Sequence, residues 1–303
     1  MAFTVPTYNN KLRTNEVIAI AILSAIFKYD GTDMFIMKGP NGKMIKLEGF
    51  TFSVDMDSKY DLEKAEFHYC HEKMFHETGN IYTSAGLVWK KFGKSFIQLI
   101  LKENPRFASV NADTKLIYTV YTHICKFMVK VDAIDNSVDI KNKYWVRKVI
   151  DVVNTIDVYS EYQNNIFVQV VNLIEQYLKS FVTMEIIRYF DERDAERELQ
   201  KEIAVFDGFN SIWLGMVDNN TNAKLVIFPE NKEKTSWRIQ AVPERIFSGI
   251  LKFPAPREWR GKCDFVIDDV HVTFVHVTGF LCGIEGCLED AMKIAKKWIE
   301  LSK

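Results

Sequence analysis

The run from Val17 to Phe27 is apolar at every position except Ser24. It has no polar side, so it predicts a helix buried all round. It is too short to cross a bilayer, which takes about 20 residues. Downstream, strand and helix patterns alternate. Met34 to Met37 and Met44 to Leu47 flank Gly39-Pro40-Asn41-Gly42, a turn sequence suited to a hairpin. Phe50 to Val54 reads as a strand stopping at Asp55. Ser84 is placed to cap a helix carrying Leu87, Val88, Phe92, Phe96 and Leu99. A second helix carries Leu116, Val120, Ile124, Phe127, Met128 and Val131 towards Asp132. Further helix is expected from Trp145 to about Val205, with the charged stretch Asp191 to Glu202 as a solvated face.

Around Phe206 to Asn210 the period changes. Ser211 to Val217 and Ala223 to Phe228, joined across Asp218-Asn219-Asn220, predict a β-hairpin. Ser236 to Val242 and Val270 to Val277 predict two more strands. Asp290 to Leu301 predicts an amphipathic closing helix, with Met292, Ala295, Trp298 and Ile299 opposite Lys293, Lys296 and Lys297. The change of pattern divides the chain into domains 1–206 and 207–303. No repeat or low-complexity linker separates them.

A length of 303 residues gives each domain a core of its own. With 48% hydrophobic and 26% charged residues the chain is not a disordered one. Lys and Arg number 39 against 40 Asp and Glu. There is no global positive field, and any nucleic-acid contact must come from local patches. Two patches qualify: Lys90, Lys91 and Lys94, and Lys141, Lys143, Arg147 and Lys148 beside Tyr144 and Trp145. Each suits RNA backbone contact with base stacking, and each also reads as a solvated helix face. Five cysteines without a C-x-x-C pair fit a reducing compartment. Met1 to Tyr8 lacks the basic-then-apolar opening of a secretory signal. The expectation is a cytoplasmic protein without a membrane partner.

Potential ligands gather in four places: Asn9 to Glu16, Asp55 with Asp57, Cys70-His71-Glu72, and Asp132 with Asp135. Carboxylates at strand ends together with a histidine can hold a hard divalent metal for phosphoester hydrolysis. The same aspartates also end strands, and Asp135-Asn136 also forms Asx turns. Spacing alone favours that second reading.

Longer motifs change the weighing. Ser236-Trp237-Arg238-Ile239-Gln240-Ala241-Val242-Pro243, Pro256-Arg257-Glu258-Trp259-Arg260-Gly261 and Val275 to Gly283 form an ordered series. Thr83-Ser84-Ala85-Gly86-Leu87-Val88 and Val131-Asp132-Ala133-Ile134-Asp135-Asn136 precede it. The whole series resembles the melanocyte-proliferating-gene family, relatives of the DHH phosphoesterases described as metal-dependent hydrolases and RNA exonucleases. The resemblance implies an α/β fold: a DHH-phosphoesterase-like amino-terminal domain followed by a smaller α+β carboxy-terminal domain.

Set against the family pattern, the metal motifs are depleted. Tyr8, Asn9 and Asn10 stand for a histidine-aspartate-glycine motif, Arg13 for a second histidine and Asn15 for an aspartate. Glu16 survives. Cys70-His71-Glu72 stands for aspartate-histidine-histidine, and Asp55 and Asp132 match family acids. An asparagine brings no negative charge, a neutral tyrosine is a poor ligand, and Arg13 sets a permanent cation beside any metal. Asp55, His71 and Asp132 are too few for two metals, although a single metal at those three stays open. The expectation is a pseudoenzyme with no cofactor, no catalytic residue and no small-molecule substrate. The depleted form is similar to the microsporidian ribosome-dormancy branch of the family. That likeness implies binding to ribosomal RNA and proteins near the tRNA exit site, with translation held off. The alternative is an active metal-dependent RNA exonuclease. Candidate RNA contacts are Arg13, the two lysine-rich clusters, Arg238, His276, Gly279 and Gly283. Arg13 is equally a salt-bridge partner of Glu16 or Asp55, and the glycines equally serve packing.

Overall fold

The computed structural model describes residues 2–6, 14–27, 34–37, 51–54, 66–67, 76–110, 112–135, 163–209, 211–218, 221–245 and 248–302. The chain divides into two compact units, Met1–Ile186 and Ile187–Lys303. The domain boundary expected between residues 206 and 207 falls inside the second unit.

The first unit is built on strands β1 (Ala2–Pro6), β2 (Met34–Met37), β3 (Thr51–Val54) and β4 (Glu66–Phe67). They lie in the order β2-β1-β3-β4, and every neighbouring pair is parallel. Met34 to Met37 is therefore a strand, as expected, but it pairs in parallel with β1. Its expected hairpin partner, Met44 to Leu47, lies outside the described residues. Parallel pairing needs crossover connections, and helix α1 (Thr14–Phe27) stands between β1 and β2 in the chain. Residues Thr14 to Ala25 of α1 are all buried, so the uniform apolar run has a core on every side. Helices α2 (Ser84–Glu103) and α3 (Thr114–Asp135) pack against α1 and each other.

Local chemistry sets the helix ends. Asp113 caps α3, its Oδ1 accepting the N–H groups of Lys115 and Leu116 at 2.9 and 3.0 Å. For α2 the capping position is Thr83, not Ser84 as expected, and its side chain makes no capping bond to the helix. The Thr83 hydroxyl donates to Asp132 instead. A 3-10 turn, Pro105–Val110, joins α2 to α3.

Helix α4 (Gln163–Glu198) carries the division between the units within it. The expectation of helix to Val205 fails at Glu198. That carboxylate is 5% exposed, and it accepts from Lys201 Nζ at 2.6 Å and from the Val205 N–H at 3.1 Å. The chain is thereby turned into strand β5 (Ile203–Val205).

The second unit holds the sheet β5-β6-β7-β10-β9-β8. Its remaining strands are β6 (Leu225–Pro229), β7 (Ser236–Ala241), β8 (Cys263–Ile267), β9 (Val270–Val275) and β10 (Leu281–Glu285). Only β5 and β6 run parallel; the other neighbours are antiparallel. The predicted hairpin at Ser211 to Phe228 is not formed. Ile212–Met216 is a 3-10 helix that sinks Trp213 among Leu199, Phe206 and Phe228, and β6 pairs with β5 and β7. The edge strand β8 had no apolar alternation to reveal it, because Cys263, Asp264 and Val266 are exposed. Asp268 and Asp269, with φ of 45° and 66°, make the tight turn from β8 to β9.

Along β7, Trp237, Ile239 and Ala241 point inwards to meet Val272, Ile284 and the closing helix α5 (Leu288–Leu301). Trp259 joins the same core. Among the described residues no helix is long and apolar enough to cross a membrane. Trp298 of α5 is fully buried and its indole N–H donates to the Phe253 carbonyl at 3.1 Å. Trp298→Ala is expected to cost about 3–5 kcal/mol in urea unfolding of the full chain, whereas exposed Lys296→Ala changes it by less than about 0.5 kcal/mol.

Candidate functional site

Strand order focuses the first unit on one edge. From β1 the chain passes to β2 on one side and returns to β3 on the other. The crevice beyond the carboxyl ends of parallel strands at such a reversal is where α/β proteins bind their ligands. In the chain, Tyr8 to Arg13 follow β1, Asp55 follows β3, and Cys70-His71-Glu72 follow β4. These three strands are adjacent. The side chains of Tyr8, Asn9, Arg13, Asp55, Cys70, His71 and Glu72 lie outside the described residues, as do Lys141, Lys143, Arg147 and Lys148. Asn15 and Glu16 open α1 and are buried, with Asn15 Oδ1 accepting the Glu16 N–H at 2.8 Å.

Asp132, near the end of α3, is wholly buried. Its Oδ1 accepts the Thr83 hydroxyl and, at 3.3 Å, the Gly86 N–H; its Oδ2 lies 2.6 Å from His76 Nε2. The carboxylate thus stands at the amino end of α2, where backbone N–H groups and the helix dipole favour negative charge. Gly86 leaves the room it needs: a Cβ there would lie 2.9 Å from both Asp132 Cγ and Tyr82 Cδ1. The His76 ring stacks on Tyr82 with centroids 3.6 Å apart, and the Lys90 ammonium lies 5.0 Å from the Tyr82 centroid. Lysine, phenol, imidazole and carboxylate therefore form a continuous series running from solvent into the core. Burial holds the Asp132 carboxyl above the ordinary carboxylate range, against the pull of His76 and Thr83. Burial also raises the Tyr82 phenol, with Cys125 and Asp132 adding to it.

Sequence reading found Asp132 but missed His76 and the part played by the Thr83 hydroxyl. The two partners lie 56 and 49 residues from Asp132, so no periodicity links them. Asp132 itself was marked by its place at the end of an apolar helix face and by the motif Val131 to Asn136. Among the described residues no three His, Cys, Asp or Glu side chains gather as metal ligands do. Asp132 has protein partners at both of its oxygens.

Lys90, Lys91 and Lys94 are exposed on α2, and the Lys94 ammonium lies 5.5 and 5.9 Å from the rings of Tyr121 and Tyr118. In the second unit Arg238 is ion-paired with Glu230 and lies over the Phe274 ring, 4.6 Å from its centroid. Gly283 is the floor beneath it: a Cβ there would collide with Arg238 and Thr273 and come within 2.7 Å of Phe274. His276 and Gly279 share the turn between β9 and β10, where the Gly279 N–H donates to the His276 carbonyl at 2.8 Å. Gly279 has φ of 75°, and a Cβ would lie 2.9 Å from the Ala255 nitrogen. His276 Nδ1 lies 2.9 Å from the Thr278 hydroxyl. Each glycine thus has a packing role. Cys282 is fully buried in the core, and burial pushes its thiol up to about 12.

A parallel sheet followed by a mixed sheet closed by an amphipathic helix defines a two-part α/β protein. Residues 4–299 match the family model MYG1_exonuc, described as Uncharacterised protein family (UPF0160). The chain belongs to this MYG1 family, as its motifs implied. It is 27% identical to the MYG1 protein of Dictyostelium discoideum over 96% of this chain and 95% of that one. To a MYG1 protein of Schizosaccharomyces pombe it is 22% identical over 95% of this chain and 96% of the relative.

The Asp132 environment makes two tests. Its folded pKa lies above its unfolded value, so its stabilising contribution is complete below about pH 4 and is lost as pH rises through the raised value. Asp132→Asn, which keeps an acceptor for Thr83, escapes that loss. In urea unfolding its stability relative to wild type should improve between about pH 4 and pH 7. A pH-independent difference would contradict the raised carboxyl. Gly86→Ala should cost about 1–3 kcal/mol at either pH by overpacking the same pocket.

Proposed function

We propose that this chain is a non-catalytic member of the MYG1 family that holds RNA, and specifically binds the ribosome at the tRNA exit-site region as a dormancy factor. In this reading the first unit is a DHH-phosphoesterase-like domain whose reaction edge has changed from holding metal to holding phosphate. The observation that carries it is the depletion of family-type ligands in the segments that follow β1 and β4, with Asp55 after β3 retained; these three parallel strands are adjacent. A two-metal phosphoesterase needs several carboxylate or imidazole ligands to hold its ions and generate hydroxide. With Arg13 in the segment that follows β1 in the chain, a phosphate is the better-matched occupant, since guanidinium pairs with it bidentately. The buried bonds of Asp132 to His76, Thr83 and Gly86 support the reading, because they give that acid a structural role.

The family model's name supports a second reading, an exonuclease working with a depleted metal site. Manganese-dependent digestion of short RNA separates the two: turnover abolished by Asp55→Ala or His71→Ala would sink the non-catalytic reading. Binding is tested by sedimentation with purified ribosomes at low and raised salt. The wild-type chain should co-sediment and be released by salt. Arg13→Glu, and neutralisation of Lys141, Lys143, Arg147 and Lys148, should each weaken the association. Absence from the ribosomal pellet at every salt concentration would overturn the ribosome assignment.

A further inference from the structure

From Ser84 to Val131, the stretch forming α2, the 3-10 turn and most of α3, the chain carries eight lysines and arginines but two acids. This excess stands out in a chain whose net charge is −1. Both acids are already engaged: Glu103 pairs with Lys179 at 3.3 Å, and Asp113 caps α3. The cations are ordered along the helices. Lys90, Lys94, Gln98 and Lys102 are exposed at i+4 spacing on α2, and Tyr118, Thr122, Lys126 and Lys130 are exposed at i+4 spacing on α3. Successive members of each row are neighbours with about 6 Å of rise between them, and each row winds about 40° round its helix per step. Lys94 joins the two, its ammonium lying over both Tyr118 and Tyr121 of α3. Tyr118 is 63% exposed, a large aromatic left in solvent amid positive charge.

We infer that this α2–α3 face is a docking surface for single-stranded RNA, in which the lysine rows follow the phosphates and Tyr118 stacks against a base. The inference rests on the RNA-binding reading above and extends it to a face built from Lys126, Lys130 and Tyr118. Charge complementarity selects a polyanion. The exposed aromatic beside a lysine selects nucleic acid over a purely acidic peptide, because every base offers a face on which to stack. Among the described residues Tyr118 is the only large hydrophobic exposed on α2 or α3, so the face lacks the apolar side with which a membrane-surface helix inserts.

The test is fluorescence anisotropy of the full-length chain with a short labelled single-stranded RNA across a salt series. Lys126→Glu with Lys130→Glu should weaken binding about tenfold or more and lower the slope of log affinity against log salt by about 1. Tyr118→Ala should weaken binding about tenfold while leaving that slope unchanged, as befits a stacking contact. Lys262→Glu with Lys296→Glu, an equal charge change in the second unit, should retain wild-type affinity. Equal losses from the two charge-reversal pairs would overturn the face while leaving RNA binding intact. Wild-type affinity in Lys126→Glu/Lys130→Glu would do the same. A wild-type chain that binds no RNA at any salt would overturn both the face and the RNA-holding reading on which it rests.

Discussion

A carboxylate with no access to water must be answered from within the protein, and Asp132 is answered by three partners from the segment leading into α2. Thr83 and Gly86 belong to the amino end of that helix, and His76 precedes it. The arrangement ties the end of α3 to the beginning of α2 more specifically than apolar contact can, since removing any partner leaves a buried polar group unsatisfied. It also explains neighbouring choices. Thr83 caps no helix N–H because its hydroxyl faces Asp132, and Gly86 is without a side chain because one would fall on the carboxylate. Tyr82 stacks on His76 and presents its ring to Lys90.

Elements whose local pattern matched their surroundings were legible in the sequence. The unbroken apolar run of α1 became a helix buried along nearly its whole length, and the split polarity of α5 became a helix with Trp298 inward and its lysines outward. Illegible elements were those set by distant partners. β8 is an edge strand and needs little apolar alternation, while β5 exists because Glu198 ends a helix and accepts the Val205 N–H. The segment around Trp213 was read as a strand because its apolar residues suit one, yet burying a single large indole required a tight turn instead. Parallel pairing of β1 with β2 and β3 was hidden for the same reason: no local turn announces it.

The candidate site divides along that line. Motif positions after β1, β3 and β4 were found from the sequence, but the adjacency of these three strands emerged only from the strand order. Asp132 was found as an acid of a metal motif, while the groups that occupy it were not. Arg238 was read as an exposed polar candidate; the structure gives it Glu230 as an ion partner and Gly283 as the space in which it lies. In each case the residue type was visible and its partner was not, because partners brought together by helix and strand packing leave no trace in local periodicity.

Charge is arranged differently on the two sides of the first unit's chemistry. In the segments between the strands, Asn9, Asn15 and Arg13 carry no negative charge while Glu16 and Asp55 do, and Asp132 is enclosed by its hydrogen bonds. On the α2–α3 face, cations accumulate with the two acids already satisfied. In the proposed phosphate-holding reading both features favour polyanions over metal cations. A fold that balances bound metal against negative ligands can lose both together without leaving an uncompensated charge in its core. Losing only the metal would strand repelling carboxylates at one edge; losing only the carboxylates would leave the metal unheld. In that reading, asparagine and arginine meet the constraint in favour of phosphate.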